Sequence, residues 1–139
     1  MATTTAAVTL TSDLMSDNMS VSSSTTCMKA GSASDVLTQM DMGYIEVATG
    51  TNFDLLDADN ATNVNKANKV YVSNDSTDET YYVQITIDAQ VIGRLYAGDW
   101  MFIPWSAEDA TADVEIQAYG GTNKISYVYF HEGRTLVSA

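Results

Sequence analysis

Tyr81-Tyr82-Val83-Gln84-Ile85-Thr86-Ile87-Asp88 places Tyr81, Val83, Ile85 and Ile87 at odd positions and Tyr82, Gln84, Thr86 and Asp88 at even ones. Side chains of an extended chain point alternately to opposite sides. An unbroken apolar/polar alternation therefore describes a half-buried strand. The same signal repeats on either side. Val70 and Val72 alternate with Tyr71 and Ser73. Val91–Tyr96 follows the short turn Asp88-Ala89-Gln90, and Trp100–Trp105 follows Ala97-Gly98-Asp99. Ala112, Val114, Ile116 and Ala118 alternate with Asp113, Glu115 and Gln117. After Gly120-Gly121-Thr122-Asn123, Ile125, Tyr127 and Tyr129 alternate with Ser126, Val128 and Phe130, and Gly133 closes the run.

Strands separated by turn residues, with no long apolar stripe of helical period, predict an all-β fold. The expected form is an antiparallel β-sandwich or jelly-roll-like barrel with an extended Thr/Ser-rich N-terminal segment. The 139 residues fit a single domain, with its best-defined strands over 69–133. Residues 1–30 form a candidate N-terminal arm. Val8 and Leu10, then Met19 and Val21, recur at every second position there. β-branched Thr and Val favour extended backbone. Two strands near 6–11 and 19–30 are expected, the alternative being a low-complexity leader. Tyr44–Val47 and Asn52–Leu56 read as further strands. The polar stretch 57–68 reads as a long loop or one helical turn.

Six Lys/Arg against eighteen Asp/Glu give a net charge of −12. Such a chain repels nucleic acid and anionic lipid, so neither is an expected partner. No apolar run is long enough for a spanning helix, and no signal-peptide pattern opens the sequence. Cys27 is the single cysteine, so no intrachain disulfide forms, and its setting between Thr26 and Met28 suggests a buried, inert thiol.

Catalytic, metal and cofactor residues are not expected. His131 is the single histidine, read as a surface residue near a strand end. One His and one Cys exclude zinc clusters built from those residues. No serine lies in a nucleophile-elbow motif. Asp57-Ala58-Asp59-Asn60 only superficially resembles a calcium loop. It lacks the spaced oxygen ligands and late glutamate, and a capped turn explains it.

The cluster with a candidate role is aromatic. Tyr96, Trp100, Phe102 and Trp105 lie within ten residues. Trp100 and Phe102 share one face of a strand, and Met101, Ile103 and Trp105 share the other. Both faces are apolar, so one enters the core and the other must be covered by the second sheet, the N-terminal segment or another chain; the cluster reads either as core alone or as part of a subunit interface. Val8, Leu10, Tyr96, Trp100, Phe102 and Trp105 are the candidate interface residues, since Trp and Tyr are enriched in interface cores.

The succession Lys66-Ala67-Asn68-Lys69-Val70-Tyr71-Val72-Ser73-Asn74, Tyr81–Asp88 and Arg94-Leu95-Tyr96-Ala97-Gly98-Asp99-Trp100-Met101-Phe102-Ile103-Pro104-Trp105 resembles small virion structural proteins of tailed, marine-type bacteriophages. The resemblance spans 66–133 and extends loosely to Thr3–Ser24. It implies a non-enzymatic β-sandwich located in the virion. The first expectation is a capsid decoration or cement protein, assembling as a homo-oligomer such as a trimer on a major capsid protein or another virion protein. A tail or head-to-tail connector component is one alternative. A carbohydrate-binding or receptor-binding module is another, favoured if Trp100 and Trp105 are both exposed and coplanar.

Overall fold

The computed structural model describes residues 5–12, 19–26 and 38–135. Two compact units result, within Met1–Leu37 and Thr38–Ala139. The first is an antiparallel hairpin of β1 (Thr5–Ser12) and β2 (Met19–Thr26), in register from Thr5↔Thr26 to Ser12↔Met19. Residues 27–30, expected to prolong β2, and Cys27 lie outside the described residues.

The second unit holds β3 (Thr38–Val47), β4 (Asn52–Leu56), β5 (Lys66–Asn74), β6 (Tyr82–Ile87) and β7 (Gln90–Tyr96). It continues with β8 (Trp100–Ser106), β9 (Val114–Tyr119) and β10 (Asn123–Thr135). These strands form two antiparallel four-stranded sheets, β3-β10-β5-β8 and β4-β9-β6-β7, packed as a β-sandwich. The pairings are nested: β6 with β7, β5 with β8, β4 with β9 and β3 with β10. The chain is thus one long hairpin, rolled up until β10 also meets β5 and β9 also meets β6. That is the jelly-roll order.

The tip of the long hairpin is a two-residue turn. Asp88 and Ala89 both have left-handed backbone, at φ 49 and 57, between the paired Ile87 and Gln90. Positive φ at both central residues is the type I′ geometry, whose twist matches that of the strands. Ala89 holds this conformation against the clash of its own Cβ.

The core is the meeting of the inner faces. Val70 and Val72 of β5, Val83 and Ile85 of β6, Val114, Ile116 and Ala118 of β9 and Ile125 of β10 are all buried. Their alternation is the period-two pattern read from the sequence. At one end of the sandwich the core is polar and fully bonded. The Asn74 amide donates to Leu95 O and to Asn123 Oδ1, both at 3.0 Å. Asn123 donates to Tyr119 O at 3.1 Å and Gly121 O at 3.0 Å. Asn74 Oδ1 accepts the Ser76 amide at 3.1 Å. Both asparagines are wholly buried. They tie β5, β10, the end of β7 and the β9–β10 turn together.

The boundaries differ from the sequence reading most at three places. β3 starts at Thr38, β5 starts at Lys66 inside the stretch read as loop, and β10 runs beyond Gly133 to Thr135. In each case tertiary pairing extends a strand whose own residues signal weakly. The loop before β5 does contain one helical turn, with Val64 N donating to Asn60 O at 3.0 Å. Within it Asp57 caps Asp59 N at 2.8 Å and Asn60 caps Thr62 N at 3.0 Å.

Replacing Ala89 with Gly relieves the left-handed strain at the tip, where Asp-Gly is a favoured type I′ pair. A gain of about 1 kcal/mol in unfolding free energy is expected by urea titration, and a loss for Ala89→Val. Asn123→Ala strips partners from Asn74 and Ser76. It should cost roughly 1–3 kcal/mol in the same titration, because a buried amide is left unsatisfied.

Candidate functional site

The two outer faces of the sandwich carry different chemistry. On β5, Val70 and Val72 face inward, so Lys69, Tyr71 and Ser73 face outward. Register then aligns the outward side chains of neighbouring strands. One row runs Met42–Val128–Tyr71–Phe102 across β3, β10, β5 and β8. The next row runs Tyr44–Ser126–Ser73–Trp100. On the far side of the first row, Phe130 pairs with Lys69, and Lys69 with Pro104. Tyr44 is 82% exposed, Met42 60% and Trp100 48%. Val128, Tyr71, Phe102 and Phe130 are half-buried. Trp100 leans on Tyr71, with ring centroids 6.1 Å apart.

This outer face is apolar and nearly uncharged. Among the described outward side chains of its strands, Glu46, Lys69 and Lys124 are charged. Asp75 follows directly after β5. Its carboxylate accepts hydrogen bonds from the hydroxyls of Ser73, at 2.8 Å, and Ser126, and so lies over two strands of the small-residue row. A shallow depression of about 250 Å³ opens beside it, lined by Tyr44, Ile45, Glu46, Asp75, Lys124 and Ile125. The Lys69 and Lys124 charges balance those of Glu46 and Asp75, in a chain of net charge −12.

The other outer face carries a tyrosine row. Tyr119, Tyr82 and Tyr96 are opposite one another on β9, β6 and β7. Tyr82 stacks on Tyr119 at 4.8 Å and 11° and tilts against Tyr96 at 5.2 Å. The Arg94 guanidinium lies 5.0 Å from the Tyr82 ring centroid. The Tyr82 and Tyr119 ring faces are spent on each other, which leaves no open stacking surface between them.

The candidate residues read from the sequence thus separate. Trp100 and Phe102 lie together on the first outer face. Tyr96 lies exposed on the second. Val8 is exposed on β1, and the side chain of Leu10 lies outside the described residues. Trp105 leaves the candidate surface. It is 2% exposed in the core, its Nε1 donates to Ala112 O at 2.6 Å, and its ring meets Tyr129 edge-on. The pair of exposed coplanar tryptophans that would mark a sugar platform is not formed. Residues that the sequence reading missed on the first face are Met42, Tyr44, Tyr71, Val128 and Phe130. The available signal was that Val70–Val72 and Ile125–Phe130 carry large apolar residues at both parities.

His131 is a second correction. It points inward from β10 and is buried, not at the surface. Its Nδ1–H donates to Asn68 Oδ1, while Asn68 donates to Lys66 O at 3.1 Å. The ring packs edge-on against Tyr129, whose hydroxyl donates to Asn63 Oδ1 at 3.1 Å. Nε2 is buried and, among the described residues, accepts no hydrogen bond in the neutral ring. Burial pushes the His131 pKa below its ordinary value, with the Thr62 carbonyl opposing and Lys66 adding to the shift. The histidine is therefore neutral at neutral pH and serves the core.

A depressed histidine pKa means that the unfolded chain binds the proton first. The stability due to neutral His131 is complete above the unfolded value near pH 6.5 and is lost as pH falls below it. The melting temperature of the wild type should drop from about pH 7.5 to about pH 5 more than that of His131→Gln. Asp78 and Asp109, held below the usual carboxylate range by Thr80 and Thr111, release their share only at lower pH. Parallel profiles for the two proteins would refute the assignment.

No protein-family model and no curated protein sequence matches this chain.

Proposed function

We propose that this protein is a non-enzymatic virion structural protein, a capsid decoration or cement protein that stabilises a phage head as a homo-oligomer. The observation that carries this reading is the apolar outer face of β3-β10-β5-β8, with Tyr44, Met42 and Trp100 exposed together. Contiguous exposed apolar surface of this kind marks a site of association. The sequence resemblance over 66–133 points the same way. So, by analogy of fold, does the jelly-roll order, which hosts many capsid domains. A protein that binds only the assembled shell stabilises it by mass action. The β1–β2 hairpin suits strand addition to a neighbour, because among the described residues it is a sheet of two strands, and such a sheet alone is marginal in water.

The purified protein should bind heads that lack it, with copies at repeated lattice positions in electron micrographs. Removing residues 1–12 should abolish that occupancy. Copies confined to one vertex would replace this reading with a connector or tail role. Binding to glycans with no binding to heads would replace it with the carbohydrate-binding alternative.

A further inference from the structure

The outer face of β3-β10-β5-β8 is complementary to itself. Consider a two-fold axis lying in the face and running across the strands. It lays each strand antiparallel on its copy and exchanges the side-chain rows. Tyr71 then comes over the partner's Ser73, and Val128 over the partner's Ser126. The large centre of one row meets the small centre of the other. At the flanks Met42 meets the partner's Tyr44, and Phe102 meets the partner's Trp100. The charges follow the same rule. Lys69 and Asp75 stand at equal distances on either side of the axis along β5, so each Lys69 comes opposite the partner's Asp75. Lys124 and Phe130 stand likewise along β10. The partner's Phe130 therefore comes over Lys124 and the 250 Å³ depression beside it.

We infer that this face binds a second copy of the chain, forming a two-fold symmetric dimer by aligned sheet-on-sheet packing. This rests on the reading of the chain as an assembly protein and names the partner of one of its surfaces. Charge selects the partner. Copies of a chain with net charge −12 repel through most approaches, and this face presents balanced charge. The Asp75 carboxylate accepts hydrogen bonds from the Ser73 and Ser126 hydroxyls, and the two-fold brings a cation to it. A cation over Phe130 adds a further attraction.

Area sets the class of interface. Four strands about 4.8 Å apart and three to four side-chain rows about 6.8 Å apart span roughly 450 Å² per copy, or roughly 900 Å² in total. That is near the lower bound for a specific interface and places the contact among weak, exchanging assemblies, short of an obligate dimer.

Sedimentation equilibrium of the purified wild type should show monomer and dimer exchanging at micromolar concentration. Acrylamide quenching of Trp100 should fall as the dimer forms, while buried Trp105 stays protected throughout. Val128→Asp should be monomeric, with far-UV circular dichroism unchanged. Lys69→Glu and Asp75→Lys should each weaken the dimer at least about tenfold, and the double exchange should recover most of the loss. A wild type that stays monomeric at about 100 μM overturns the inference, as does a trimer, or a dimer indifferent to Val128→Asp and to the charge exchange. Should Asp75→Lys unfold, Lys69→Glu and Val128→Asp decide the matter alone. A monomer that still decorates heads defeats the dimer and leaves the decoration role standing. A dimer that ignores heads does the reverse.

Discussion

The buried amide pair Asn74–Asn123 joins two strands that the nested hairpin would leave apart. β5 belongs with β8 and β10 with β3, so the β5–β10 seam exists only because the hairpin rolls up. Amides shut away from water must find partners or cost free energy. Here each is satisfied only when β5, β10, the end of β7 and the β9–β10 turn are all in place. The pair therefore favours the rolled form over the open one. An apolar pair would bury as well, but it would tolerate slippage along the seam. The inner valines and isoleucines supply most of the drive for folding. The amides make that drive specific to one register.

Both ends of the core use this device differently. At one end the asparagines bond among themselves and to carbonyls. At the other, Trp105, Tyr129, His131, Asn63 and Asn68 form a mixed aromatic and polar layer. Most of the acidic residues among those described lie in loops, where water solvates them. That placement frees the β3-β10-β5-β8 face of excess charge. The net acidity of the chain and its nearly neutral sheet face are two sides of one arrangement.

Much of the fold was legible because half-burial imposes alternation. The strands around Tyr82–Ile87 and Val114–Tyr119 and the two faces of Trp100–Trp105 follow from it. The start of β5 was not legible, since inward-facing Asn68 breaks the apolar pattern. Its reason for being inside is His131, 63 residues away. For the same reason His131 read as a surface residue: nothing local shows the partner that makes its burial tolerable. The site was legible in part. Trp100 and Phe102 stood out, but Tyr71, Val128 and Met42 become one row only through pairings between distant strands. Tyr82, Tyr96 and Tyr119 become a row in the same way.

The nested pairing also orders events in time. A growing chain exposes β3 long before β10 exists to cover it, because Thr38 pairs with His131. Within the second unit, the tip, β6 with β7 around Asp88-Ala89, is the pair that can close as soon as it is made. Contacts so distant in sequence fold slowly, on the order of milliseconds to seconds for all-β topologies. Folding of the second unit then proceeds from the middle of the nest outward and finishes once β10 is available to pair. During that interval the long edge of β3 is open to other nascent chains. High local synthesis would favour cross-pairing between copies unless the tip closes early.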